Sequence, residues 1–546
     1  MSAGLNPPPS SSPTPDAAIR IDTAPLGIEP VAAAVDGSHT SPAPSPVIAA
    51  AISLPAVMSG LILVILLGAL EQTIVAVALP IIANDLQGFR LMAWIVSAYL
   101  VASTVVTPIY GKLSDLFGRR NTLTSAIVIF VVASIACAMA QTMPQLIFFR
   151  ILQGIGGGGL ISVAQATIAD VVPLRARGRY QGYISGVWAM ASLAGPVVGG
   201  YLTQLLSWRY IFWVNLPLGL IAIFVVRRTL RALPVPHRRS RIDLFGAVLF
   251  ATGLTALLIT ITRIGHGSSI TEPINLLLGI ITVITLFVFG WHENRTDEPI
   301  IPLHLFRIRT VTVCCLTLFI GFVQLIAMSV LLPLRSQMVA GVAADLSALR
   351  LLPLTLSIPL GAFIAGRLMS STGRYKPLQL GGAIAASLGG FAVALTTPNQ
   401  VVQMAVAMVV LGLGIGFQFP TGLVATQNAV APKYIGLATA LTSFSRQLGG
   451  AVGVAVLTSI LVATLQAAVP GLAIGVIPGS GGDDDILMQL FRAVMASGDG
   501  ANGAALREVT EAAFRRLFLI SAGISLLSPL LIMTLDEREL RGSASA

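Results

Sequence analysis

LPAVMSGLILVILLGALEQTIVAVALPIIA, running from Leu54 to Ala83, carries one charged side chain, Glu71. A helix needs about 20 apolar residues to cross the hydrocarbon core of a bilayer. This stretch is longer than that, and it reads as a membrane span. The rest of the chain follows the same rule. Of its 546 residues 55% are apolar and 10% are charged, against roughly 25% charged in soluble proteins. With a mean hydropathy of +0.86, the composition excludes a water-soluble globule and points to an all-α polytopic membrane protein.

Further apolar runs follow from Leu91 to Tyr110, Leu123 to Ala140, Gln145 to Ala169, Tyr180 to Leu202 and Tyr210 to Val226, completing a first group of six. Two more, Ile242 to Ile261 and Ile274 to Gly290, precede a second six: Val311 to Leu332, Leu346 to Leu368, Leu378 to Leu395, Val401 to Val424, Ile435 to Leu465 and Phe514 to Leu535. The expected count is about fourteen transmembrane helices. The expected layout is a disordered cytosolic tail over 1–50, a first six-helix bundle over 51–230, two linking helices over 231–295 and a second bundle over 296–535. A short cytosolic tail, 536–546, ends the chain. The tail 1–50 is rich in Pro, Ser and Ala and lacks the basic start of a cleaved signal peptide. An external loop over 471–513, with Asp483, Asp484 and Asp485, reads as a solvated face.

The net charge is +10, which in a soluble chain suggests nucleic acid. Here the basic residues sit in short loops. Lys112, Arg119 and Arg120 follow the second span, Arg175, Arg177 and Arg179 the fourth, and Arg227, Arg228, Arg231, Arg238, Arg239 and Arg241 the sixth. The positive-inside rule accounts for them, places these loops and both termini in the cytosol, and makes the bilayer the partner in place of a polyanion. Cys137, Cys314 and Cys315 lie inside apolar runs and read as packing, with neither a disulfide framework nor a metal pair.

An internal repeat is visible. GKLSDLFGRRN, Gly111 to Asn121, recurs in degenerate form as GRLMSSTGRYK, Gly366 to Lys376, each after the second span of its group, and GPVVG from Gly195 is echoed by GGAVG from Gly449. Two related halves around a midplane site are a common transporter plan.

Enzymatic constellations are absent from the reading. Gly154, Gly156 and Gly159 satisfy GxGxxG but sit inside an apolar run with no βαβ unit around them. They serve close helix approach instead of a dinucleotide. The five histidines, His39, His237, His266, His292 and His304, lie in the tail or loops, so no metal site and no cofactor is expected, and no phosphate-binding GxxxxGK[ST] loop occurs. Energy would come from an ion gradient.

Charges inside spans are the remaining signal. A charged side chain at mid-membrane costs roughly 2.5 to 3.5 kcal/mol and marks a cavity or ion path. Glu71 stands near the middle of the first span with no evident partner in the sequence. Hydrocarbon favours the neutral acid, so it is the candidate proton carrier. Arg150, at the start of the fourth span, either modulates that proton or snorkels to the interface. Asp115 and Arg119, four apart beside Gly111 and Gly118, suit a tight turn with a local ion pair. Gln72, Trp94, Tyr99, Gln153, Trp188 and Met190 are the candidates for lining a substrate cavity, against the plainer reading of helix packing.

At these residues the chain resembles the major facilitator superfamily, in particular its fourteen-span drug:proton antiporter branch. The superfamily's cytosolic signature GxLaDrxGRrxx is matched at Gly111, Asp115, Gly118, Arg119 and Arg120, and the antiporter signature, a glycine, eight residues and GPxxGG, at Gly186, Gly195, Pro196, Gly199 and Gly200. The fourth-span pattern RxxQGxGgg falls on Arg150, Gln153, Gly154 and Gly156, and the branch's LDxTIVNVALP appears as LEQTIVAVALP, Leu70 to Pro80, with Glu71 for the usual aspartate and Ala76 for asparagine. Arg335 replaces a frequent aromatic and Ser370 the aspartate of the repeated signature. The resemblance implies two six-helix bundles plus two extra helices in a cytoplasmic membrane. It also implies proton-coupled export of amphipathic or lipophilic compounds by alternating access, with Glu71 coupling and the Asp115 motif gating. The alternatives are a dedicated exporter or importer of one metabolite, peptide, siderophore or sugar, and, from other classes, a membrane-embedded enzyme or a sensor. A small-molecule substrate and protons are the implied partners; nothing in the chain identifies a periplasmic adaptor.

Overall fold

The computed structural model describes residues 53–88, 91–232, 243–265, 268–296, 299–468, 501–537 and 539–540. The expected tail 1–50, most of the loop 471–513, Arg238, Arg239, Arg241, His39, His237, His266 and the last residues of the C-terminal tail lie outside them.

Fourteen long helices carry the described chain. They are α1 (Leu54–Asp85), α2 (Met92–Phe117), α3 (Arg119–Ala138), α4 (Met143–Val171), α5 (Leu174–Leu205), α6 (Tyr210–Thr229), α7 (Leu244–Gly265), α8 (Pro273–Glu293), α9 (Arg309–Ala340), α10 (Leu352–Thr372), α11 (Lys376–Leu395), α12 (Val401–Ala429), α13 (Ile435–Ala468) and α14 (Ala501–Ser525). Among the described residues thirteen helices are apolar and long enough to cross a bilayer. The fourteenth, α5, has the length, but Arg175, Arg177 and Arg179 in its first turns and its many glycines dilute its hydropathy. Proline at the first turn of α1, α4, α8 and α11 stands where a helix has no N–H to lose.

The helices form two bundles. In the first, α4 packs between α2 and α3, and α1 against α5 and α6; in the second, α12 packs between α10 and α11, with α9 against α13 and α11 against α14. The linking pair α7 and α8 pack on each other, and α7 leans on α2 and α13. α8 turns Leu276, Leu277, Ile280, Val283, Ile284 and Phe287 outward, a face suited to lipid.

The sequence repeat has a structural meaning. Gly118 (φ 83°) ends α2 and Gly373 (φ 71°) ends α10, so the second glycine of each copy supplies a positive φ that a side chain would disfavour. The first glycine of each copy meets the other half: Gly111 lies against Gly436 and Ala440 of α13, and Gly366 against the Gly178 backbone of α5. Arg177 Nη1 donates to Gln427 Oε1 at 3.0 Å, and in mid-depth Gln447 meets Ser103, Thr104 and Thr107, and Ser443 meets Gln165. These contacts close the seam from mid-depth to the end that carries the basic loops.

Arg335, the residue that departs from the family pattern, is buried and ion-paired with Glu511. Its Nε donates to Glu511 at 2.9 Å and its other nitrogens to the carbonyls of Val393 and Thr396, clamping α9, α11 and α14 together. Helical structure thus begins at Ala501, ahead of the expected span from Phe514. Removing one partner of a buried pair costs about 3–5 kcal/mol, with the low end apt here because Glu511 keeps some solvent. Arg335→Ala is expected to melt several degrees below wild type in detergent; an unchanged melting temperature would show that the clamp contributes nothing.

Candidate functional site

The interior of the first bundle is polar at one depth. Glu71 and Arg150 are each 1% exposed and form an ion pair through Arg150 Nη1 and Glu71 Oε1. Asn215 Nδ2, from α6, donates to the other carboxylate oxygen at 2.5 Å and also to Ser134 Oγ of α3 at 2.8 Å. Arg150 donates through Nε to the Ile95 carbonyl at 3.0 Å and through Nη1 to Gln153 Oε1 at 2.6 Å, while Gln153 Nε2 donates to Ser134 at 3.2 Å. The guanidinium lies over the Tyr99 ring at 4.4 Å. Five helices, α1, α2, α3, α4 and α6, thereby contribute to one network.

Two sequence expectations change here. Glu71 does have a partner, on a helix too distant in sequence to be read. Arg150 does not snorkel, because its head is fully enclosed with a counter-ion. Burying a charge pair is tolerable only where the remaining lone pairs and protons are met, and Asn215, Ser134, Gln153 and Ile95 meet them.

Of the other cavity candidates, Tyr99 and Gln153 belong to this network. Gln72 joins it through a side-chain hydrogen bond with Tyr99, while Trp188 packs against the bundle core and Met190 is exposed. The glycines of α4 act as small residues: a Cβ at Gly154 would strike Tyr99, one at Gly156 the Phe130 backbone and one at Gly159 Ala126. They let α4 sit deeply between α2 and α3.

The antiporter glycines divide. Gly195 lies on Thr73 and Gly199 on Ile74, with no room for a Cβ at Gly195, and Thr73 Oγ1 donates to the Ala191 carbonyl at 3.0 Å. Thus α5 rides on the stretch of α1 that follows Glu71. Gly186 and Gly200 have open space around them, and Pro196 is exposed.

At the basic end, Asp115 pairs with Arg119 at 2.7 Å, and Arg119 Nε with Asp170 of α4 at 2.6 Å. Asp115 Oδ2 also accepts the Leu437 N–H at 3.2 Å, in the first turn of α13, where the helix dipole favours a carboxylate. The expected local pair is therefore a bridge between halves, with Asp170 as the member sequence reading missed. Arg120 stands apart from it. Its buried Nε has no hydrogen-bond partner among the described residues, and it lines a cleft with Arg227, Arg228 and Arg231. Among the described residues no group of three or more His, Cys, Asp or Glu is placed to hold a metal.

Compared with known families, residues 61–454 match the Major Facilitator Superfamily. The chain belongs to the major facilitator superfamily. It is 33% identical over 407 residues to the Multidrug transporter protein MdtP of Bacillus subtilis, covering 74% of each chain, and 32% identical over 403 residues to Multidrug resistance protein 3 of the same organism, covering 73% of this chain and 78% of that one. The fold matches that of the human organic anion transporter MFSD10 with a TM-score of 0.58 at 14% identity, over 88% of this chain and 99% of the other. This facilitator is a multi-pass membrane protein that performs secondary-active transport, a function without a chemical reaction and so without an enzyme's catalytic residues.

Proposed function

We propose that this facilitator is a proton-coupled antiporter of the fourteen-span drug:proton branch, exporting amphipathic or lipophilic compounds. The observation that carries this reading is the enclosed Glu71–Arg150 pair, with Asn215 on the second carboxylate oxygen. Protonation of Glu71 weakens its hold on both partners and loosens α1 where Gly195 and Gly199 of α5 pack. At its other end α5 touches α10 through Gly178 and Gly366, so the change reaches the seam. Proton and substrate favour opposite states, and only such differential affinity can move the equilibrium.

The basic end is assigned to the cytosol by its arginines, with both termini on that side. The Asp115–Arg119–Asp170 bridge to α13 is then the cytosolic gate, closed here. One proton moved through 100 mV supplies about 2.3 kcal/mol, enough for roughly a fifty-fold gradient of a neutral substrate. The names of the two bacterial relatives support export of varied compounds.

The test is flux in proteoliposomes holding the full chain. With an imposed pH gradient, at least one of a set of lipophilic dyes, cationic, neutral and anionic, is expected to move uphill with proton counterflow. Dye movement without counterflow removes the antiport reading, and a gradient that drives a sugar or peptide but no dye replaces it with single-metabolite transport.

A further inference from the structure

Arg446 lies on α13, roughly 16 Å along the helix from Ile435 at about 1.5 Å per residue, and so deep in the span. Its guanidinium carbon is 4.2 Å from the Phe419 ring centroid on α12 and 5.2 Å from that of Phe322 on α9. The residue is half-buried, and among the described residues it enters no ion pair and no hydrogen bond. Four other arginines within the bundles are partnered. Arg150 has Glu71, Arg335 has Glu511, Arg119 has Asp115 and Asp170, and Arg177 has the Val172 and Ala169 carbonyls and Gln427.

The faces of α13 fix where Arg446 points. Ser443 and Gln447 reach across the seam to Gln165 and to Ser103, Thr104 and Thr107. Phe444, on the far flank, packs against Phe250 of α7 at 6.0 Å. Gly449 and Gly453 press on the α9 backbone. Arg446 therefore occupies the corner of α9, α12 and α13 beside the seam, turned away from the linking helices. One position before Phe419, Gln418 is buried with its Oε1 unpaired, facing the bare side of Gly321, the residue before Phe322.

Two aromatic faces offset part of the penalty for a charge in the membrane, but a planar fork of five N–H donors is left without an acceptor. Arginine in this position matches a carboxylate or sulfonate in bidentate fashion. The rings on either side suit a flat apolar body. We propose that Arg446, Phe322 and Phe419 form the substrate subsite for organic anions that carry a carboxylate or sulfonate on an aromatic body. This rests on the transport reading above and names the class of compound it favours.

Equilibrium binding to the full-length protein in nanodiscs tests it, with dansylglycine as the anionic probe and its uncharged amide as the control. Wild type is expected to bind the carboxylate about tenfold tighter than the amide. Arg446→Gln is expected to weaken carboxylate binding about tenfold and leave amide binding within about twofold, the scale of one charge-assisted contact. Equal affinity of wild type for the two probes, an equal loss of both in the Gln variant, or no binding of either overturns the subsite. Where the Gln variant fails to assemble, Arg446→Lys decides. It keeps the charge but not the planar fork, so carboxylate binding is expected to weaken about threefold to fivefold while the preference over the amide survives; unchanged affinity contradicts the bidentate role. No pH gradient enters this measurement. A missing carboxylate preference indicts Arg446, whereas missing proton-driven dye flux indicts the antiport reading.

Discussion

Glu71→Gln is expected to abolish uphill transport in a pH gradient, with the steady-state substrate ratio falling from roughly fifty-fold at 100 mV to unity. The amide fills nearly the same space and can still accept from Arg150, but it cannot exchange a proton, so the two states lose the differential that drives the cycle. Downhill exchange of substrate is expected to persist. The variant also leaves the Arg150 guanidinium enclosed at 1% exposure without a counter-ion, which costs about 3–5 kcal/mol. Adding Arg150→Gln removes the orphaned charge, and the double variant is expected to be more thermostable than Glu71→Gln alone, since neighbours in one network do not act additively. Uphill accumulation that survives in Glu71→Gln would place the coupling site elsewhere. A double variant less stable than the single would mean that the pair is not the unit described.

What was legible in the chain depended on how rare the signal is. Charge inside an apolar run is rare, so Glu71 and Arg150 could be singled out, and the glycine–arginine repeat marked Gly111, Gly118, Gly366 and Gly373 before their turns and contacts were seen. Asn215 and Ser134 carry no such signal, because neutral polar residues are common in spans and only the fold brings these two to the carboxylate. Asp170 closes an apolar run and reads as its boundary; its role depends on Arg119 reaching it from the start of the preceding helix, α3. Glu511 was masked by the polar stretch before Phe514, since a helix that emerges from the bilayer no longer needs an apolar sequence. Arg446 satisfies the rule that picks out Glu71, yet its meaning lies in lacking a counter-ion, which no single stretch of sequence can display. Trp188 and Met190 illustrate the converse: a large side chain in a span is more often packing or lipid surface than cavity.

The second large effect is expected at the seam, where Gly178 of α5 and Gly366 of α10 meet backbone to backbone with no space for a Cβ on either. A side chain there cannot swing aside, because what it meets is main chain, so Gly178→Val must part the halves or deform a helix. Overpacking of this kind typically costs about 1–3 kcal/mol, and if the penalty falls on the closed arrangement alone it moves the open fraction by about five- to 150-fold. Asp115→Asn acts on the same equilibrium more gently: it loses the Arg119 ion pair at 2.7 Å but keeps an oxygen for the Leu437 N–H. The reporter is Ser443→Cys, a position 1% exposed behind the closed end, in a background with Cys137, Cys314 and Cys315 replaced, labelled by a membrane-impermeant maleimide applied from the basic side. Labelling is expected to speed up at least about tenfold in Gly178→Val and by a smaller factor in Asp115→Asn. Gly178 on α5 and Asp115 on α2 do not touch Glu71, yet if its protonation is coupled to the seam, proton binding is expected to respond as well: linkage requires that whatever opens the seam shifts proton affinity by the same factor. Equal labelling in all three proteins, with each intact by size-exclusion, would separate the seam from the gate and leave the glycine pair as packing only.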